Sequence, residues 1–149
     1  VSSEVSELVN KAVREFKRQS GERVEVWVLQ EHPVYIIVNP LEFELVIINL
    51  LRNAAAYSYP KTEIRISAKR SDRNIQITFE NHGKTIAPEQ LDSIFEKFSR
   101  LDEARLSDTG GAGLGLSISE EIIHLHGGTI TASSKNETIS FVIVLPISD

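Results

Sequence analysis

Apolar residues at positions 5, 8, 9, 13 and 16, set among charges, follow the helical period over residues 5–16, and Ser20 with Gly21 closes the run. Residues 24–29 alternate as VEVWVL, the signature of a strand, and residues 34–38 give a second strand after a turn around His32 and Pro33. Asn39, Pro40 and Glu42 supply an N-cap, a first-turn proline and an acid three residues past the cap. They open a strongly apolar helix that runs to about Tyr57 and stops before Pro60. Two further strands, 62–68 and 74–80, flank a turn at residues 71–73. A loop and a short helix over 89–98 follow. The next helix spans 113–126, with Leu114, Ile118, Ile122 and Leu125 on one face and Gly127 and Gly128 as its stop. Strands 129–133 and 138–145 close the chain as a hairpin around Lys135 and Asn136.

The predicted order is α-β-β-α-β-β-α-α-β-β. Half-apolar strands of this kind bury one face under helices, which predicts an α/β chain in the form of a two-layer α+β sandwich, with helices on one face of a mixed sheet. The strands come in adjacent pairs and do not alternate with helices, so a doubly wound sheet is excluded. At 149 residues the chain makes one domain with a substantial core. Its 41% hydrophobic and 25% charged residues are ordinary for a globular protein. It has no apolar run of membrane-spanning length, so no direct membrane contact is expected. The lack of cysteine removes disulfides and thiolate metal sites. A net charge of −5, without a basic stripe, argues against nucleic-acid binding. His124 and His126 sit two apart at a helix end and read as structural. Met is missing even at position 1, and a piece of a longer protein is expected.

Two features carry chemistry. Residues 110–116 read GGAGLGL, and a glycine-rich turn opening a helix brings backbone N–H groups and a positive helix end up to a polyphosphate. Dinucleotide folds share such spacings, but they need a strand immediately before the glycines; here residues 100–109 form a polar loop. Asn49 and Asn53 stand four apart in an otherwise apolar helix, where an amide oxygen can serve Mg²⁺, a cation that prefers hard oxygen ligands.

In order along the chain, residues 49–58 (NLLRNAAAYS) resemble the N box of sensor histidine kinases, and residues 81–86 (NHGKTI) their first glycine box. Residues 95–98 (FEKF) resemble the F box, and residues 111–116 (GAGLGL) the second glycine box. The stretch from 95 to 113 is most similar to the vancomycin-resistance, VanS-type sensor kinases. This resemblance implies the Bergerat (GHKL) sandwich, with ATP between the N-box helix and a lid over residues 99–111. It implies Asn53 as ligand to Mg²⁺, Asn49 in support of phosphate or metal-bound water, and Tyr57 lining the pocket. Asn81 would read the adenine amino group, with Gly83 and Ile86 shaping the floor. Gly111, Gly113, Leu114, Gly115 and Leu116 would wrap the phosphates, while Arg100 and Arg105 supply positive charge. Ser140 matches a hydroxyl residue that often backs the adenine-reading side chain. Phe95 and Phe98 read as anchors of the lid.

The implied function is that of a protein-histidine kinase catalytic domain that binds Mg-ATP. Its γ-phosphoryl would pass to a histidine on a separate dimerisation domain, and then to a response-regulator aspartate. The remaining segments of a membrane-anchored kinase would lie elsewhere, leaving this piece cytoplasmic and monomeric. Related ATPases carry a glutamate where Asn49 stands, and an amide cannot act as general base near neutral pH. His32 lies in a strand-turn and not in an acceptor helix, so no autophosphorylation is expected of the chain alone. Four positions depart from the family pattern: Asn81 for aspartate, Thr85 for a glycine, Ala56 for a basic residue and Ser99 for an aromatic one. Contacts worth roughly 0.5–1.5 kcal/mol each are lost, so weak ATP affinity is expected. The same departures suggest an alternative, a regulatory docking module that governs response-regulator dephosphorylation.

Overall fold

The computed structural model describes residues 2–20, 24–28, 33–95 and 115–148. Its helices are α1 (Val5–Ser20), α2 (Pro40–Tyr57), α3 (Pro88–Asp92) and α4 (Gly115–Leu125). Its strands are β1 (Ser2–Glu4), β2 (Val24–Val28), β3 (Tyr35–Ile37), β4 (Ile64–Ser71), β5 (Asn74–His82), β6 (Thr129–Lys135) and β7 (Thr138–Pro146). Five strands form one sheet in the order β2-β4-β5-β7-β6, in which β2 runs parallel to β4 and every other pair is antiparallel. The helices bury one face of it. Ile64, Ile66, Ile75, Ile77, Phe79, Ile139, Phe141 and Ile143 alternate inward and meet Phe43, Ile47, Leu50, Leu51 and Ala54 of α2. Each isoleucine, leucine and phenylalanine among them contributes about 1.5–3 kcal/mol through burial. The mixed sandwich read from the sequence is the fold found.

The chain ahead of α2 departs from that reading. The two early strands do not sit together: β2 is an edge of the main sheet, whereas β3 pairs with β1 in a separate two-stranded ribbon. Alternation of apolar residues encodes which face a strand buries and says nothing about its partner.

Helix α2 starts as its sequence dictates. The Asn39 side-chain oxygen accepts from the N–H groups of Leu41 and Glu42 at 3.0 and 3.1 Å, and Pro40 occupies the first turn. At the far end, the Ser58 hydroxyl donates to Ala54 O at 2.5 Å. In α4 the buried side chains are Leu116, Ser119, Ile122 and Ile123, whereas Ile118 and Leu125 are exposed. The apolar face expected from Leu114, Ile118, Ile122 and Leu125 is thus rotated, and a polar residue, Ser119, lies in the buried stripe.

Candidate functional site

Helices α2 and α4 lie side by side and run in opposite directions. The Asn39 N–H donates to His126 Nε2 at 3.1 Å at one end, and Asn49 Nδ2 donates to Ser119 Oγ at 3.4 Å further along. From that second contact Asn53 is four residues on toward the end of α2, and Gly115 is four residues back toward the start of α4. At 1.5 Å per residue both displacements are about 6 Å in the same direction, so Asn53 stands level with the N-terminal turn of α4. There the first N–H groups of a helix lack intrahelical acceptors and carry its positive dipole end.

Asn53 is wholly buried. Its Nδ2 donates to Asn49 O at 2.7 Å, and because a backbone carbonyl only accepts, the amide nitrogen must be the atom that faces it. The oxygen Oδ1 is thereby turned away, and it has no hydrogen-bond partner among the described residues. An orphaned buried acceptor is costly unless a ligand satisfies it. The donor set fits Mg²⁺: one fixed hard oxygen beside a cluster of helix N–H groups suits a metal that takes most of its ligands from phosphate and water. Among the described residues there is no grouping of three or more His, Asp or Glu that would hold a metal by itself.

A second orphan lies on β5. Asn81 is 1% exposed, sits in register with Ile139 of β7, and neither its Oδ1 nor its Nδ2 has a partner among the described residues. The loop that follows is pinned from two sides. A Cβ at Gly83 would lie 1.9 Å from Tyr57 O, so only glycine lets this loop pass the end of α2. The β6–β7 turn holds the other side: Gly83 N–H donates to Glu137 O at 3.0 Å, Glu137 N–H to Thr85 Oγ1 at 3.0 Å, and Ile86 N–H to Ser134 Oγ at 2.8 Å. The Tyr59 hydroxyl donates to the Glu137 carboxylate, a bond that raises the Tyr59 phenol above its ordinary range.

Residues 38–149 match the family described as histidine kinase-, DNA gyrase B- and HSP90-like ATPases. The chain belongs to this family. Within the family it is similar to sensor histidine kinases. VanS of Enterococcus faecium is 52% identical over 98 residues, which is 66% of this chain and 25% of VanS. CusS of Escherichia coli O157:H7 is 38% identical over 108 residues, 72% of this chain and 22% of CusS. The chain thus spans about a quarter of the length of these relatives. In fold it is similar to the mycobacterial sensor histidine kinase MprB, with a TM-score of 0.82 at 23% identity, covering 99% of this chain and 97% of that one. Full-length ShkA in complex with AMPPNP gives a TM-score of 0.81 at 18% identity, over 99% of this chain and 31% of ShkA. The fold is therefore that of a histidine-kinase catalytic domain.

The N-box and first-glycine-box residues fall on elements that surround one end of α2. Asn49 and Asn53 are buried on that helix, Tyr57 is half-buried at its end, and Ile86 is buried in the core. Gly83 acts through its close approach to the Tyr57 carbonyl. Leu116 is fully buried in the first turn of α4, so only its backbone could face a ligand there. Phe95 packs edge-on against Phe141, with ring centroids 6.3 Å apart. Arg100, Arg105, Gly111, Gly113 and Leu114 lie outside the described residues, as do Phe98 and Ser99.

Ser140 is not where the resemblance places it. On β7 it pairs with Glu80 of β5, and the inward residues of β7 are Ile139, Phe141, Ile143 and Leu145, so it belongs to the sheet face away from Asn81. Ile139 takes the place beside Asn81, and an isoleucine has no hydroxyl to lend. Sequence reasoning also missed Ser119 and the partners of the Gly83 loop. The one signal for Ser119 was its spacing, three residues from both Leu116 and Ile122.

Proposed function

We propose that this domain binds Mg-ATP and presents its γ-phosphoryl to a histidine on a separate helical domain, for onward transfer to a response-regulator aspartate. It would do so as the cytoplasmic part of a longer, membrane-anchored sensor kinase of the VanS type, in a two-component system controlling vancomycin resistance. The observation that carries this reading is Asn53: a buried amide whose nitrogen is committed to Asn49 O and whose oxygen has no partner among the described residues, level with the α4 N-terminus. When bound, Mg²⁺ would neutralise phosphate charge and hold the β- and γ-phosphates in a fixed geometry.

The chain's own residues then position and do little else. The first amides of α4 offer donors to phosphate oxygens. Asn81 would meet the base, and Tyr57, the last residue of α2, would line the pocket. Asn49, whose Nδ2 is engaged by Ser119, carries no basic atom with which to activate water. The site thus orients a phosphoryl donor and leaves attack to a nucleophile from outside, where a neutral imidazole nitrogen needs no base.

Calorimetric titration of Mg-ATP tests the reading beside Asn53→Ala. The substitution removes one hydrogen bond and improves helix propensity, so stability should change by less than about 1 kcal/mol. Saturable, Mg-dependent binding weaker than micromolar is expected, and Asn53→Ala should reduce it by roughly ten-fold or more. No binding to the wild-type chain at millimolar ATP would overturn the proposal and favour the docking module.

A further inference from the structure

Asn81 differs from Asn53 in one respect that bears on which base the site accepts. The Asn53 amide is locked, because its nitrogen is spent on a backbone carbonyl. At Asn81 both polar atoms are buried and both lack a partner among the described residues. Its backbone is held in register against Ile139, an apolar neighbour that cannot tell an amide oxygen from an amide nitrogen. A terminal amide torsion is broad and two-fold, so exchanging the two atoms by a half-turn carries no rotamer penalty.

From these observations we infer that Asn81 makes the site accept 6-oxopurine as well as 6-aminopurine nucleotides. The inference rests on the nucleotide reading above, in which this side chain meets position 6 of the base. Adenine places a donor there, its N6–H, and Asn81 Oδ1 accepts it. Hypoxanthine and guanine place an acceptor there, O6, and after a half-turn Asn81 Nδ2–H donates to it. In both orientations the second amide atom suits the neighbouring N1, which accepts in adenine and donates in the 6-oxopurines. A carboxylate has only acceptors, so it matches one of these two positions in either base and opposes the other: it takes N6–H but faces the N1 lone pair of adenine, or takes N1–H but faces O6. Only the amide can therefore satisfy both positions of either base, by turning over, and its register partner Ile139 offers no polar atom that would fix one orientation.

Competition calorimetry with ATP, ITP and CTP on the wild-type chain provides the test. ITP presents O6 and N1–H without the 2-amino group of guanine, so it probes the amide and not the room around position 2. ITP is expected to bind within about ten-fold of ATP, with CTP far weaker. In Asn81→Ala, ATP and ITP should weaken together, each by roughly five-fold or more, because both lose their amide contacts; ITP binding that this substitution leaves unchanged overturns the inference. ATP binding without ITP binding overturns the inference, and CTP binding as well as ATP overturns it too, since the base would not be read at all. If Asn81→Ala does not fold, the wild-type comparison decides alone. Failure of all three nucleotides to bind would instead overturn the nucleotide reading, and this inference with it.

Discussion

At the scale of single residues, the site depends on polar atoms and close approaches that burial makes costly to change. Gly83 shows this most simply: its missing Cβ is the space in which the Tyr57 carbonyl sits, and that neighbour is backbone and cannot turn aside. Gly83→Ala should therefore destabilise the chain by about 1–3 kcal/mol, read as a lower urea midpoint at unchanged slope. An unchanged midpoint would mean that the loop moves freely, and that the glycine is kept for another reason. The amides are legible in the sequence because a polar residue inside an apolar helix stands out against its neighbours. What separates Asn53 from Asn49, namely which amide atom is left over, was not legible, since it depends on a backbone carbonyl one turn away. Ser140 failed for a related reason. In a strand one residue decides the face, and the register that puts Ile139 beside Asn81 is set by the β5–β7 pairing.

Between elements, the most constrained junction is the β6–β7 turn. Asn136 and Glu137 both have positive φ, 52° and 62°, as a two-residue hairpin of type I′ requires, although glycine would be the easier second residue. Glu137 instead contributes its N–H, its C=O and its carboxylate, which reach Thr85, Gly83 and Tyr59 in turn. One turn residue thus joins the first-glycine-box loop to the segment after α2, and Thr85, a departure from the family pattern, has a structural use. The Tyr59 phenol reports on this junction. It donates to Glu137 only while protonated, and its pKa is raised in the fold, chiefly by that hydrogen bond. The contribution is present below the unfolded phenol pKa of about 10 and is lost as pH rises through the folded value. Glu137→Ala should bring the Tyr59 titration, followed by ultraviolet absorbance, back toward about 10. A midpoint that stays put would show that the bond does not persist in solution. Most elements could be read from their periodicity, but the phase of α4 could not, because Ser119 occupies a buried position that an apolar count skips.

For the whole molecule, the question is whether the chain could itself receive the phosphoryl group under the proposed function. His126 has both ring nitrogens engaged: Nε2 accepts from Asn39 N–H, and Nδ1 lies 2.8 Å from Ile122 O, to which it must donate. It thus has no free lone pair with which to attack. His124 is exposed, but it stands nine residues beyond Gly115, about 13 Å along α4 from the end that faces Asn53. His82 follows Asn81 on β5 and so points to the opposite face of the sheet. His32 lies outside the described residues, in a part of the sequence that reads as a turn before β3. Every described histidine is therefore spent, distant or on the wrong face. Incubated with Mg-ATP labelled at the γ-phosphate, the chain alone should acquire no acid-labile phosphate. A helical acceptor segment from a VanS-type relative, supplied in trans, should become labelled. Acid-labile phosphate on the isolated chain would place the acceptor within these 149 residues and overturn the division of labour. Labelling of neither, with ATP binding intact, would mean that covalent linkage to the acceptor domain is needed to bring the imidazole to a site that can only position its donor.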